Sequence, residues 1–458
     1  MADGLRIILA SCHSRDPWTF PVIKDIHKVL NKLGHEMIFL GANNHGYPGD
    51  LDAIDLNHLK NYFFIRYQIG ALPLKEIDLK ELVEVDYKFC REKFHYAGIK
   101  KEGIQARMES WLNEALVLLK ILQPDIVIVW NGMLSRRAVI VKAAGYLNVP
   151  VFYVEKGMLP ESWYIDPEGV NAMSSVARST VKYAADEAKI QNIKELIDNI
   201  NKKGKSAWEQ PGRKDIRGLR EQLGIGGNKK VIFFPGQVES DSNIVFFSPH
   251  FETVLDAVRL LVKDLEGKDY FILVKPHPKS AVAIDTYREI VKGMGTVVED
   301  INIFDAIELS HGVVSINSTV AFEAALNRKP VLLLGESVMS NKAFACRYIP
   351  TEPLASQIAA CLERYQKNED QYFREALSFA AYLHYEYYAD RGDLACTEKL
   401  LRRTLGNTKP KVKMFRADEI VLPFKDISED DLLEVFPGQM IKKAFFKKVK
   451  QKLLFWKK

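Results

Sequence analysis

Short, mostly apolar runs recur along the chain, and most stop at a polar or glycine-bearing turn. RIILA (6–10), EMIFL (36–40), DIVIVW (125–130) and VFYV (151–154) occupy the first half. VIFF (231–234), YFILV (270–274), GVVSI (312–316) and runs near 296–298 and 331–334 occupy the second. A four- to six-residue run with no polar alternation is buried on both faces, and helical patterns lie between these runs. That combination predicts parallel sheets covered by helices on both sides. In such sheets ligands bind beyond the carboxyl ends of the strands, so residues just after each run are the first candidates for chemistry.

Helices are expected near 21–33, 105–122, 135–147, 250–265, 283–293, 318–327 and 354–366, with a long helical segment at about 370–404. Residues 41–80 are rich in Gly, Asn, Pro and aromatics and give no clear pattern. At 458 residues the chain exceeds one ordinary core. The polar, Gly- and Pro-bearing stretch 201–216 divides it. The expected division is 1–205 as one Rossmann-like domain and 217–405 as a second Rossmann-like domain with closing helices. Residues 406–440 form an extension and 441–458 a tail. The fold class is α/β and GT-B-like, two Rossmann-like parallel-sheet domains facing a cleft, plus a basic amphipathic C-terminal tail.

Charge narrows the function classes. The formal net charge is +5, yet residues 441–458 hold eight lysines and no acid, leaving 56 basic against 59 acidic residues elsewhere. A body of net −3 gives no footprint for nucleic acid, and none is expected as a partner. Five cysteines, scattered and without a CxxC, fit a reducing compartment and argue against a disulfide framework or a zinc site. No leader is expected before the first strand, and no apolar run approaches the roughly 20 residues of a spanning helix. The tail IKKAFFKKVKQKLLFWKK puts Ile441, Phe445, Val449, Leu453 and Trp456 on one helical face, with most lysines opposite. It is expected to bind an anionic membrane surface, each lysine contributing about 1 kcal/mol; a disordered basic terminus is the plain alternative.

Three strand ends in the second half carry polar groups in sequence. After VIFF, Pro235-Gly236 breaks the strand and Gln237, Glu239 and Asp241 follow. After YFILV comes Lys275-Pro276-His277-Pro278, a loop stiffened by two prolines and suited to a phosphate or carboxylate. After GVVSI come Asn317, Ser318 and Thr319 at a helix start. Ser and Thr are common helix caps, and free N–H groups there also favour anions. In the first half VFYV ends in Glu155-Lys156-Gly157. Taken singly, Glu239 and Asp241 read as solvated loop acids. Carboxylates facing each other across a cleft suit glycosyl chemistry instead. The glycine run 224–227 precedes its strand and is not a dinucleotide loop, and no Walker A, HExxH or GxSxG occurs.

Glu155-Lys156-Gly157, the QxxxD of Gln237–Asp241, the KPHP of Lys275–Pro278 and Ser318-Thr319, over roughly residues 120–345, resemble the capsule polysaccharide biosynthesis proteins. More narrowly they resemble the retaining β-Kdo glycosyltransferases that use CMP-Kdo. The resemblance implies Asp241 as nucleophile and Gln237 as an orienting group. It implies Glu155 as the acid that manages the acceptor proton. His277, Lys275, Ser318 and Thr319, with Asn317 beside them, would hold the CMP phosphate. It implies no metal and no cofactor, a glycan or lipid-linked acceptor, a capsule biosynthesis or export complex, and a cytoplasmic place on the inner face of the inner membrane. An inverting CMP-sugar transferase, a nucleotide-sugar epimerase and a non-catalytic assembly or export factor are the alternatives.

Overall fold

The computed structural model describes residues 4–11, 16–41, 53–55, 76–94, 98, 100–180, 183, 186–204, 210–406 and 408. Strands β1 (Arg6–Ala10), β2 (Glu36–Gly41), β3 (Ala53–Asp55), β4 (Ile126–Trp130), β5 (Val151–Lys156) and β6 (Ser162–Asp166) lie in the first half. Strands β7 (Lys230–Pro235), β8 (Tyr270–Lys275), β9 (Gly295–Val297), β10 (Gly312–Ser315), β11 (Val331–Leu333), β12 (Ala345–Arg347) and β13 (Ala389–Asp390) follow. They form two sheets, β13-β6-β5-β4-β1-β2-β3 and β12-β11-β10-β7-β8-β9. The second is parallel throughout; the first is parallel except where β6 pairs antiparallel with β5 and with β13.

Strand order reverses between β1 and β4 in one sheet and between β7 and β10 in the other. At such a reversal neighbouring connections leave in opposite directions and open a crevice at the carboxyl edge. The architecture is therefore the GT-B-like pair of doubly wound domains that the strand pattern predicted. Both faces of each sheet are buried. Ile8, Val127 and Val129 pack under helix Lys101–Leu122 on one face of the first sheet. Ile7, Leu9 and Ile128 pack against helix Thr19–Lys32 on the other. Ile232, Phe234, Ile272 and Val274 pack with helix Val254–Leu265, and Val231, Phe233 and Leu273 form part of the opposite core.

The expected helical segment 370–404 is a correction. Helix Glu369–Tyr382 gives way to a π turn at Leu383–Tyr387, then to β13, then to helix Leu394–Leu405. Ala389, Leu400, Leu401 and Leu405 belong to the core built on β1 and β4, so this end of the chain crosses back onto the first sheet. In the other direction, helix Glu187–Lys203 buries Ile190, Ile193 and Ile197 in the core that contains Val231 and Phe233. Each sheet is thus covered in part by chain from the far side of 201–216. The helix expected at 318–327 is shorter, Val320–Ala325. Most of 41–80, all of 441–458 and nearly all of 406–440 lie outside the described residues. Among the described residues no helix is long and apolar enough to cross a membrane.

Candidate active site

The register of β7 and β8 is level: Phe234 pairs with Val274 and Pro235 with Lys275. The loops leaving these strands therefore run side by side. Gly236 donates its N–H to the Lys275 carbonyl at 2.8 Å. A Cβ at Gly236 would stand 2.9 Å from Pro276 Cα and 3.1 Å from His277 N, so only glycine allows this approach.

Gln237 and Asn317, both buried, face each other across the β7–β10 crevice. Gln237 Nε2 donates to Asn317 Oδ1 at 2.8 Å, and Asn317 N donates to Gln237 Oε1 at 3.2 Å. Asn317 Nδ2 also donates to the carbonyls of Asn243 (2.8 Å) and Phe247 (3.1 Å). These two residues lock the loops after β7 and β10 together. Ser318 Oγ accepts from Val320 N at 3.2 Å and so opens the short helix, with Thr319 exposed beside it.

Asp241 caps helix Ser242–Phe247, accepting from Asn243 N at 2.8 Å. Its side chain is exposed to solvent, yet many protein atoms lie around it. Burial pushes its carboxyl above the ordinary aspartate range, against the bond from Asn243. Glu155 ends β5 in the first domain. Burial pushes its carboxyl up as well, the Asp241 charge adds to the rise, and the bonds from Asn131 and the Lys156 N–H oppose it. The two acids expected to share a cavity are therefore within electrostatic reach across the two domains.

The residue that ties Glu155 to the residue after Asp241 was not singled out from the sequence. Asn131 follows β4 with φ 62°, a left-handed conformation that Asn tolerates better than most residues. Its Nδ2 donates to Glu155 Oε2 at 2.7 Å and to Ser242 Oγ, in the second domain, at 3.2 Å. An Asn-Gly after a buried strand was the available signal, but alone it reads as a turn. Arg137, in the helix Ser135–Tyr146, also steadies the Glu155 charge.

His277 is held as a neutral ring. Its Nδ1 accepts from Lys279 N at 3.0 Å, which leaves the proton on Nε2, and burial lowers its pKa. Lys275 is buried, and its Nζ donates to the Glu299 carbonyl at 2.7 Å. Burial lowers the Lys275 pKa, against the pull of Asp300 and Glu299. Glu239 is not a solvated loop acid: it is buried under the loop that follows β8.

Residues 182–388 match the model of a family described as "Capsule polysaccharide biosynthesis protein". The chain is 26% identical over 319 residues to Protein FixF of Sinorhizobium fredii, covering 61% of this chain and 73% of that one. Among solved structures it is similar to Thermosulfurimonas dismutans KpsC, beta Kdo 2,7 transferase. That similarity has a TM-score of 0.40 and 19% identity, over 63% of this chain and 89% of that chain. It is also similar to a putative UDP-N-acetylglucosamine 2-epimerase from Listeria monocytogenes, with a TM-score of 0.38 and 13% identity over 91% and 100% of the two chains. The family match spans the strand-end motifs from Gln237 to Thr319.

Proposed function

We propose that the protein is a glycosyltransferase of capsule or surface polysaccharide biosynthesis that moves Kdo from CMP-Kdo to a glycan or glycolipid acceptor with retention. The observation that carries this is the meeting of Glu155 and Asp241, acids of different domains, through Asn131 and Ser242. Retention needs two displacements and therefore a carboxylate able to form a bond. Asp241 attacks the anomeric carbon as the bond to the CMP phosphate breaks, giving a glycosyl–Asp241 ester. The acceptor hydroxyl then attacks that carbon, releasing Asp241, while its proton passes to Glu155. A raised carboxyl pKa makes Glu155 a stronger base than an exposed glutamate.

The leaving phosphate is received at the second domain's strand ends. His277 donates Nε2–H as a neutral ring, and Lys275 supplies the positive charge, together placing donors where charge develops. Ser318 and Thr319 lie at the neighbouring strand end, while Gln237 and Asn317 fix the spacing of the loops. The tail 441–458 is assigned to an anionic membrane surface on the cytoplasmic side, where a lipid-linked acceptor is presented.

The test is CMP release from CMP-Kdo with and without a lipid-linked glycan acceptor, together with NMR of the product anomer. Asp241→Asn is expected to abolish transfer while leaving CMP binding intact. Near-wild-type turnover by Asp241→Ala removes the nucleophile assignment. An inverted product points to direct displacement, and conversion of a nucleotide sugar without acceptor points to epimerisation.

A further inference from the structure

Glu239 lies midway between Gln237 and Asp241 and is 8% exposed. Its Oε1 accepts from Ser280 Oγ at 2.9 Å and from Tyr287 OH at 3.3 Å, while its Oε2 is enclosed without a partner. Burying a carboxylate with one oxygen unpaired is costly, so its presence here calls for a reason. The reason lies two bonds away. Ser280 N donates to the His277 carbonyl at 2.9 Å, which closes the turn His277–Ser280. Inside that turn Lys279 N donates to His277 Nδ1 at 3.0 Å. Pro276 and Pro278 restrict the backbone on both sides of His277, but neither fixes Lys279 or Ser280. Ser280 is held at its Oγ, which donates to Glu239 and accepts from Val282 N at 3.2 Å.

We propose that Glu239 is a positioning residue for His277: through Ser280 it closes the turn whose inner N–H holds Nδ1 as an acceptor and keeps the ring proton on Nε2. It works as a hydrogen-bond acceptor rather than as a charge, and the activity arm of its test rests on the function proposed above. The tautomer arm does not.

The experiment uses the full chain labelled with ¹⁵N-histidine, and ring-nitrogen spectra read the His277 tautomer. Wild type is expected to show a protonated Nε2 and an unprotonated Nδ1. Glu239→Ala and Ser280→Ala are expected to mix the tautomers. Glu239→Gln, which keeps the acceptor oxygen, is expected to restore the wild-type signal, and Tyr287→Phe to leave it unchanged. In CMP-Kdo turnover Glu239→Ala is expected to lower kcat by about tenfold or more with a smaller change in donor KM. Because Glu239 and Ser280 form one chain of bonds, the double variant is expected to be no slower than the slower single. Should Glu239→Ala fail to fold, Ser280→Ala reads the same link from its other end. An unchanged His277 ring signal in whichever of these two variants folds overturns the proposal, whatever happens to turnover. A wild-type protein inactive on CMP-Kdo overturns only the function, and the tautomer result still decides this inference.

Discussion

Asn131 offers the sharpest test of how the two domains share one site. Two energies meet at this residue. Its amide supplies the 2.7 Å bond to Glu155 and the 3.2 Å bond to Ser242. Losing a bond to a charged acceptor costs about 1.5–3 kcal/mol and a neutral one about 0.5–1.5. Water in the cleft recovers part of this, which places the loss near the lower ends, about 2 kcal/mol. Separately, φ 62° costs a residue other than Gly or Asn about 1–2 kcal/mol. Asn131→Gly therefore loses the bonds alone, and Asn131→Ala loses the bonds and adds the strain. Urea unfolding is expected to rank wild type above Asn131→Gly and Asn131→Gly above Asn131→Ala, with the last step about 1–2 kcal/mol. The same bond lowers the Glu155 pKa against its burial. Without it the carboxylate form is less favoured, so the acid limb of the CMP-release profile moves to higher pH in both variants. Equal stability of the two variants, or an acid limb that moves down, refutes this account.

Other outcomes follow from the same geometry. The folded Glu155 carboxyl lies above the ordinary glutamate range, so the native state holds more protons than the unfolded chain between the two pKa values, and stability falls as pH rises through that window. Glu155→Gln is thus expected to melt higher than wild type at pH 8, with the gap closing as pH falls below the ordinary glutamate pKa; a gap that grows on acidification contradicts it. Gly236→Ala pushes a Cβ against the backbone of Pro276 and His277. Calorimetry is expected to show CMP binding weakened by about tenfold, or about 1.4 kcal/mol, and wild-type affinity argues against the loop's role in donor binding. Removal of residues 441–458 is expected to abolish sedimentation with anionic vesicles at low salt, and unchanged sedimentation removes the anchor assignment.

Much of the fold was legible because a buried parallel strand needs nothing from afar to look like one. RIILA after its leading Arg6, and VIFF and YFILV throughout, are apolar, and their ends fell within a residue of expectation. The misses were elements defined by their partners. The two-residue β13 sits between helices in a stretch whose apolar spacing is helical. It exists because Ala389 and Asp390 meet Trp163 and Ser162 of β6, more than two hundred positions earlier. Tyr387, just before it, is fixed by donating to buried Asp166 at 2.6 Å. Nothing local encodes such a pairing, and the same holds for helix Glu187–Lys203, whose apolar face fits either domain until packing assigns it.

The candidate site divides along the same line. Asp241, Glu155 and the Lys275–Pro278 loop could be singled out because residues after a buried strand are delivered to one edge whatever the rest of the chain does. The amino-acid sequence on its own determined the strands, the edge and the residue types presented there, since these depend on apolar runs and on proline and glycine acting within a few positions. Only the tertiary structure decided that Glu155 comes under the charge of Asp241, that Asn131 bonds both Glu155 and Ser242, and that Glu239 is buried against Ser280 and Tyr287. Each of those rests on a distance between segments far apart in the chain, and burial, which moves the two carboxyl pKa values, exists only once both sheets are packed.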